Sequence, residues 1–79
     1  MPDSEAVVRA LIAELSAIRQ EKGISQKRLA EITGLSRSGI QFFESGDIQP
    51  SLFFFLEVAR GLEVDLAALL ATTIGEYGK

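Results

Sequence analysis

Apolar residues recur every three or four positions along most of the chain, and nowhere does a strict alternation last the length of a strand. Helices repeat with a period of about 3.6 and strands with a period of 2, so the pattern predicts an all-α fold. A first helix is predicted to begin after Asp3 or Ser4, to carry Val8, Leu11, Leu15 and Ile18 on its inner stripe, and to end at Gly23. A fourth helix is predicted after Ser51, with Leu52, Phe55, Leu56, Ala59 and Leu62 facing inward. Asp65 caps a short fifth helix with Leu66, Leu69 and Leu70 as its apolar positions. The stretch Ser45-Gly46-Asp47-Ile48-Gln49-Pro50 reads as a loop, because Gly46 ends the helix before it and Pro50 forbids continuation.

Between the first and fourth helices lies the stretch with the most information, Ser25 to Glu44. Ser25 is placed to N-cap a second helix whose inner positions are Leu29, Ile32 and the edge of Thr33. Ala30 stands where a neighbouring helix presses close and only a small side chain fits. Gly34 follows the last turn, where a reversing chain needs a left-handed residue, and Leu35 plugs the corner. Ser36 then caps a third helix, with Ile40 and Phe43 directed back at the second. At about 100° per residue, Arg37, Ser38, Gln41 and Phe42 fall on the opposite side. Two short helices held at a steep angle by a glycine turn form a helix-turn-helix, whose second helix fits a major groove.

The composition narrows the alternatives. The 79 residues suit one small domain, and 47% apolar content argues for a folded chain with only the first three and last five or so residues as candidates for low order. With no cysteine and no histidine, disulfides, zinc fingers, thiol nucleophiles and imidazole bases are excluded together. The carboxylates lie scattered on helix faces beside Lys or Arg, and no phosphate-cradling glycine loop is present, so no enzyme, cofactor or metal site is predicted. No apolar run approaches the ~20 residues of a membrane span, and Met1-Pro2-Asp3 is not the basic start of a signal peptide. The expected location is the cytoplasm. The net charge of −3, from eight basic and eleven acidic residues, counts against nucleic-acid binding, where Lys and Arg neutralise phosphates. What matters there is the sign of one face.

From about Leu15 to Leu70 the chain resembles the Cro/C1-type (Xre) family of helix-turn-helix DNA-binding domains. The resemblance rests on Leu15, Ile18, Arg19, Lys22, Gly23, Ile24, Ser25 and Gln26; on Leu29, Ala30, Gly34, Leu35, Ser36, Arg37, Ser38, Ile40, Glu44 and Gly46; and on Pro50, Ser51, Leu52, Leu62, Val64, Leu66, Leu69 and Leu70. It implies a five-helix, lambda-repressor-like domain with the helix-turn-helix in helices 2 and 3. One domain is expected over 1–79, with a family-like core over about 11–71 and a tail over 72–79.

The resemblance also implies roles. Base contacts in the family come from the outer positions of helix 3, in agreement with the projection above. Arg37 suits a bidentate pair with guanine, Gln41 suits adenine or a phosphate, and Ser38 is a permissive short contact. Ser36 belongs to the same contact set. Without the surrounding motif these residues would read as a solvated helix face. Gln26 matches a glutamine that binds a phosphate and supports the start of helix 3, at a helix N-terminus that favours anions. Lys27 adds charge there, and Arg28 stands beside it. Arg19 and Glu44 match positions that pair between helix 1 and the end of helix 3, a structural role.

Three departures bear on function. The loop after helix 3, often basic in the family, holds no cation and the acid Asp47. Phe42 occupies an outer position that is usually polar, where it could meet a thymine methyl. Phe53 and Phe54 are expected to project outward beside Glu57 and Arg60, as a surface for a protein partner. The expected function is a small sequence-specific transcriptional regulator, of repressor or controller type, acting as a homodimer on a palindromic operator in double-stranded DNA. Leu66, Leu69, Leu70 and Ile74 are the expected dimer interface. With no sensor domain expected, control would come from concentration, dimerisation or a partner. The alternative is the same fold used as a protein-interaction module with weak or no DNA binding.

Overall fold

The computed structural model describes residues 3–47 and 49–77. It contains five α-helices: α1 (Ser4–Glu21), α2 (Gln26–Thr33), α3 (Arg37–Ser45), α4 (Leu52–Leu62) and α5 (Leu66–Tyr77). Each helix begins at a short polar residue whose side-chain oxygen accepts the amide N–H three residues on. These caps are Asp3 from Ala6 at 3.2 Å, Ser25 from Arg28 at 2.9 Å, Ser36 from Gly39 at 3.0 Å, Ser51 from Phe54 at 3.2 Å and Asp65 from Ala68 at 3.1 Å. One such cap is worth about 1 kcal/mol. The set fixes where all five helices start. Gly34 and Gly46 close α2 and α3 with φ of 78° and 74°, the left-handed geometry that a Cβ disfavours.

Phe43 lies at the centre, 1% exposed. Its ring stacks on Phe54 and meets Phe55 edge-on, each with centroids 5.1 Å apart, the two arrangements that aromatic quadrupoles favour. Leu11, Ile12 and Leu15 of α1, Leu29 of α2, Ile40 of α3, and Val58 and Leu62 of α4 complete the core. α5 lies mainly along α1 and holds Leu66, Leu69 and Leu70 half-buried against it.

The helices start where the periodicity places them, but two faces and one helix end differ from the expected ones. On α1 the buried residues are Val7, Leu11, Ile12 and Leu15, while Val8 and Ile18 are half-buried. On α4 the difference is larger. Leu52 and Leu56, expected inside, are 68% and 50% exposed, and Val58 and Phe54 turn inward instead. Phe54 therefore does not project outward with Phe53, which is 64% exposed. The physical reason lies at Gly61. A Cβ built there would stand 2.6 Å from Thr33 Cγ2 and 2.9 Å from Leu29 Cδ1, so α4 crosses α2 on its glycine and this contact selects the inner arc. Third, α5 continues through residues 72–77, which were expected as tail. Thr73 is 2% exposed in that extension and its hydroxyl donates to the Leu69 carbonyl at 2.7 Å, so burial leaves no polar atom unpaired. Ile48 of the expected loop, residues 1–2 and the end of the expected tail, residues 78–79, lie outside the described residues.

Gly61→Ala therefore sets two effects against each other. Alanine gains about 0.8–1 kcal/mol of helix propensity over glycine, whereas forcing a methyl into a packed contact costs about 1–3 kcal/mol. With Thr33 and Leu29 both inside ordinary contact distance, the steric cost should win and thermal melts should show a lower midpoint. A raised midpoint would mean that α4 crosses α2 more loosely.

Candidate nucleic-acid interface

The turn between α2 and α3 is braced by hydrogen bonds from both sides. The Gly34 amide donates to the Ala30 carbonyl at 2.8 Å. The Thr33 hydroxyl donates to the Leu29 carbonyl at 2.7 Å and accepts the Leu35 amide at 3.2 Å. Thr33 thus ties the end of α2 to the corner from a buried position. Ile40 and Phe43, 0% and 1% exposed, pin the inner side of the nine-residue α3. Its other side is solvent-facing: Arg37, Ser38, Gln41, Phe42 and Ser45 are all exposed. Ser36 is exposed too, but its hydroxyl is committed to the cap and lies 3.5 Å from that of Ser38.

A second set of contacts fixes the far end of α3. The Glu44 carboxylate accepts from Arg19 Nε at 2.6 Å and Nη2 at 2.9 Å, from Gln26 Nε2 at 3.1 Å and from the Ser16 hydroxyl at 3.1 Å. Arg19 Nη1 donates onward to the Ile24 carbonyl at 2.7 Å. One carboxylate thereby joins α1, the α1–α2 loop and the first residue of α2 to the last turn of α3. The Arg19 and Glu44 side chains are 12% and 11% exposed. Burial by itself pushes the Glu44 carboxyl up. The hydrogen bonds from Arg19 and Gln26, the Arg19 charge and the Ser16 hydroxyl more than offset it and hold the group below its ordinary 4.5.

Gln26, expected at a phosphate, is half-buried, with its amide engaged on Glu44. Lys27 beside it is exposed. Sequence reasoning missed Ser16 and the Ile24 carbonyl. Ser16 stands three residues before Arg19 on the same helical face, a spacing that could have disclosed it.

The charges sort by location. Arg9, Arg28 and Arg60 pair with Glu5, Glu31 and Glu57 at 3.7, 3.6 and 3.0 Å, and Arg19 with Glu44. Among the described residues, Lys22, Lys27 and Arg37 join no ion pair. Lys22 and Lys27 flank the start of α2, and Arg37 opens α3. From Lys22 to Asp47 the chain is net positive by one, although its total is −3. No metal-binding group of three or more acidic residues is present among the described residues, and none of their helices is long and apolar enough to cross a membrane.

Comparison with known proteins points the same way. The family model described as Helix-turn-helix matches residues 15–69. The HTH-type transcriptional regulator SutR of Escherichia coli (strain K12) is 31% identical over 67 residues, covering 85% of this chain and 38% of SutR. The HTH-type transcriptional regulator PuuR of the same strain is 45% identical over 38 residues, covering 48% of this chain and 20% of PuuR. The chain thus spans less than half the length of these curated relatives. A solved structure of the restriction-modification controller protein C.Esp1396I, a tetramer in complex with its natural 35-base-pair operator, superposes with a TM-score of 0.73. The two are 26% identical, with 98% of this chain and 97% of that one covered.

Arg19→Ala should destabilise the fold toward the lower end of about 3–5 kcal/mol, because Glu44 keeps its Gln26 and Ser16 partners. Replacing Arg19 and Glu44 together by apolar residues should recover much of the loss, and strict additivity of the two single changes would contradict the coupling. The lowered Glu44 value also sets an acid dependence. Its contribution is complete above pH 4.5 and is lost as the pH falls below that through the folded value. Denaturant melts over about pH 3–7 should show this loss in the wild type and its absence in Glu44→Gln.

Proposed function

Since the chain belongs to the Cro/C1-type helix-turn-helix family, we propose that it is a sequence-specific DNA-binding transcriptional regulator acting as a homodimer on a palindromic operator. The observation that carries this reading is the outer face of α3. It is polar apart from Phe42, exposed and backed by core residues, and among the described residues the cations outside ion pairs stand at its start and beside α2. Arg37 is assigned to a guanine edge, Gln41 to adenine or a phosphate, and Ser38 to a short contact. Ser36 holds the helix start, and Phe42 flanks the same face. Lys27 and the N-terminus of α2 are assigned to phosphate. Gln26 serves there while Glu44 orients its amide. In this reading the protein works in the cytoplasm and carries out no catalysis.

The homodimer is supported by surfaces the monomer leaves open. Leu52, Phe53 and Leu56 form an exposed apolar strip on α4, and Ile74 of α5 is 42% exposed. Between α1, α4 and α5 runs an apolar groove lined by Val8, Leu11, Leu52, Phe55, Leu66 and Leu70 among others. We assign the two-fold contact to α5 through Leu66, Leu69, Leu70 and Ile74, with Leu52 at the edge of the groove. A self-complementary contact of this kind sets two recognition helices about 34 Å apart, the spacing of half-sites on one face of DNA. The solved neighbour is itself an oligomer on its operator, which supports assembly on DNA. The protein-partner alternative loses Phe54 to the core and retains only Phe53 of its pair.

Selection of binding sites from random-sequence duplex DNA tests the whole proposal. The wild type should return a palindrome with half-sites about 10 base pairs apart. Arg37→Ala should lose about 1–3 kcal/mol on that site and relax one base position in each half. A consensus unchanged by the substitution would move Arg37 from base to phosphate, and the absence of any enriched sequence would contradict sequence-specific binding.

A further inference from the structure

The outer face of α3 carries one group without hydrogen-bonding capacity. Phe42 is 60% exposed among Arg37, Ser38, Gln41 and Ser45, all exposed and polar. It borders a shallow depression lined also by Gln41, Ser45 and Asp47. The backbone beneath it is firmly held. The Ser45 hydroxyl donates to the Phe42 carbonyl at 2.6 Å and accepts the Asp47 amide at 3.2 Å, and the adjoining Phe43 is sealed in the core. Phe42 is therefore presented to the groove from a fixed support.

A phosphate is a poor partner for this position. The ring offers no donor, and the Asp47 carboxylate that shares the depression repels an anion. Base edges in the major groove display donors, acceptors and one apolar feature, the C5-methyl of thymine. Methylation of cytosine places the same group at the same ring atom. We propose that Phe42 is a specificity-determining residue that reads a pyrimidine 5-methyl group, in thymine or in 5-methylcytosine. The inference rests on α3 reading DNA. Arg37 and Phe42 are five residues apart, which is about 7.5 Å along the helix axis. That matches about two base-pair steps of 3.4 Å, so the methyl belongs about two pairs from the guanine assigned to Arg37.

The test uses a site selected from random-sequence duplexes. Each thymine in turn is replaced by deoxyuridine, which removes the methyl and keeps the pairing. One position per half-site should weaken wild-type binding about fourfold, the worth of one buried methyl at about 0.8 kcal/mol. Changing both half-sites should cost about 16-fold on the same basis. Phe42→Ala, a substitution at an exposed site, should bind the two forms equally. With cytosine in place of that thymine and guanine opposite, 5-methylation should recover about fourfold over unmethylated cytosine. If the wild type binds its selected site and no thymine responds to deoxyuridine, methyl reading is overturned while DNA reading by α3 stands. The same holds if Phe42→Ala keeps the response or if 5-methylation recovers nothing. If the wild type binds no duplex at all, DNA reading fails and methyl reading falls with it.

Discussion

A carboxylate at the end of the third helix gathers hydrogen bonds from Arg19, Gln26 and Ser16, and the remaining geometry hangs on that junction. An eight- or nine-residue helix is too short to be stable alone in water. Ile40 and Phe43 hold α3 against the core, but two apolar contacts leave a short helix free to roll and slide. Glu44 restricts that freedom, because its oxygens have partners only in one register. A well-buried pair of this kind contributes little net stability over an apolar replacement. We therefore read its role as register, which keeps Arg37 and its neighbours aimed outward. The pair also links the two ends of the candidate interface. Gln26 at the start of α2 shares an acceptor with Arg19, so the residues proposed for phosphate and for bases are oriented by one group.

Features governed by neighbours three or four residues away were legible in the sequence. Ser25, Ser36, Ser51 and Asp65 cap the helices they were expected to cap, because a cap needs only a short polar side chain and the amide three residues on. The outer face of α3 was legible because the polar Arg37, Ser38, Gln41 and Ser45 fall on one side of the helix and Ile40 and Phe43 on the other. On α4 the same reasoning failed. The run Leu52-Phe53-Phe54-Phe55-Leu56 is apolar throughout, so periodicity cannot choose a face and the choice falls to a tertiary contact. That contact is Gly61 against Leu29 and Thr33, and nothing local announces it. The extension of α5 was hidden for a related reason. Thr72 and Thr73 look like the end of a helix, yet both hydroxyls donate to carbonyls one turn back and the helix continues.

The α4 outcome changes how the surface divides. With Phe54 stacked on Phe43 and Leu52 and Leu56 outside, the exposed apolar residues form a strip on α4 leading to the groove beside α5. The exposed residues of α3 are polar apart from Phe42. Unpaired cations accompany α2 and α3, while Glu57, Glu63, Asp65 and Glu76 lie on α4, its junction with α5, and α5. A chain of net charge −3 can still present a positive edge when Glu31 and Glu44 beside it are held in ion pairs, since screening at physiological salt confines each charge to about 8 Å. The surface proposed for nucleic acid is thus separate from the one proposed for a second copy of the chain.

Backbone amide chemical-shift mapping during titration with duplex DNA tests the central claim most directly, since it reports which residues meet the duplex. The largest changes should fall on residues 26–28, 36–42 and 45–47, at the start of α2, along α3 and just beyond it. Changes centred on Leu52, Phe53 and Leu56, or none at low salt, would contradict α3 as the surface that reads DNA.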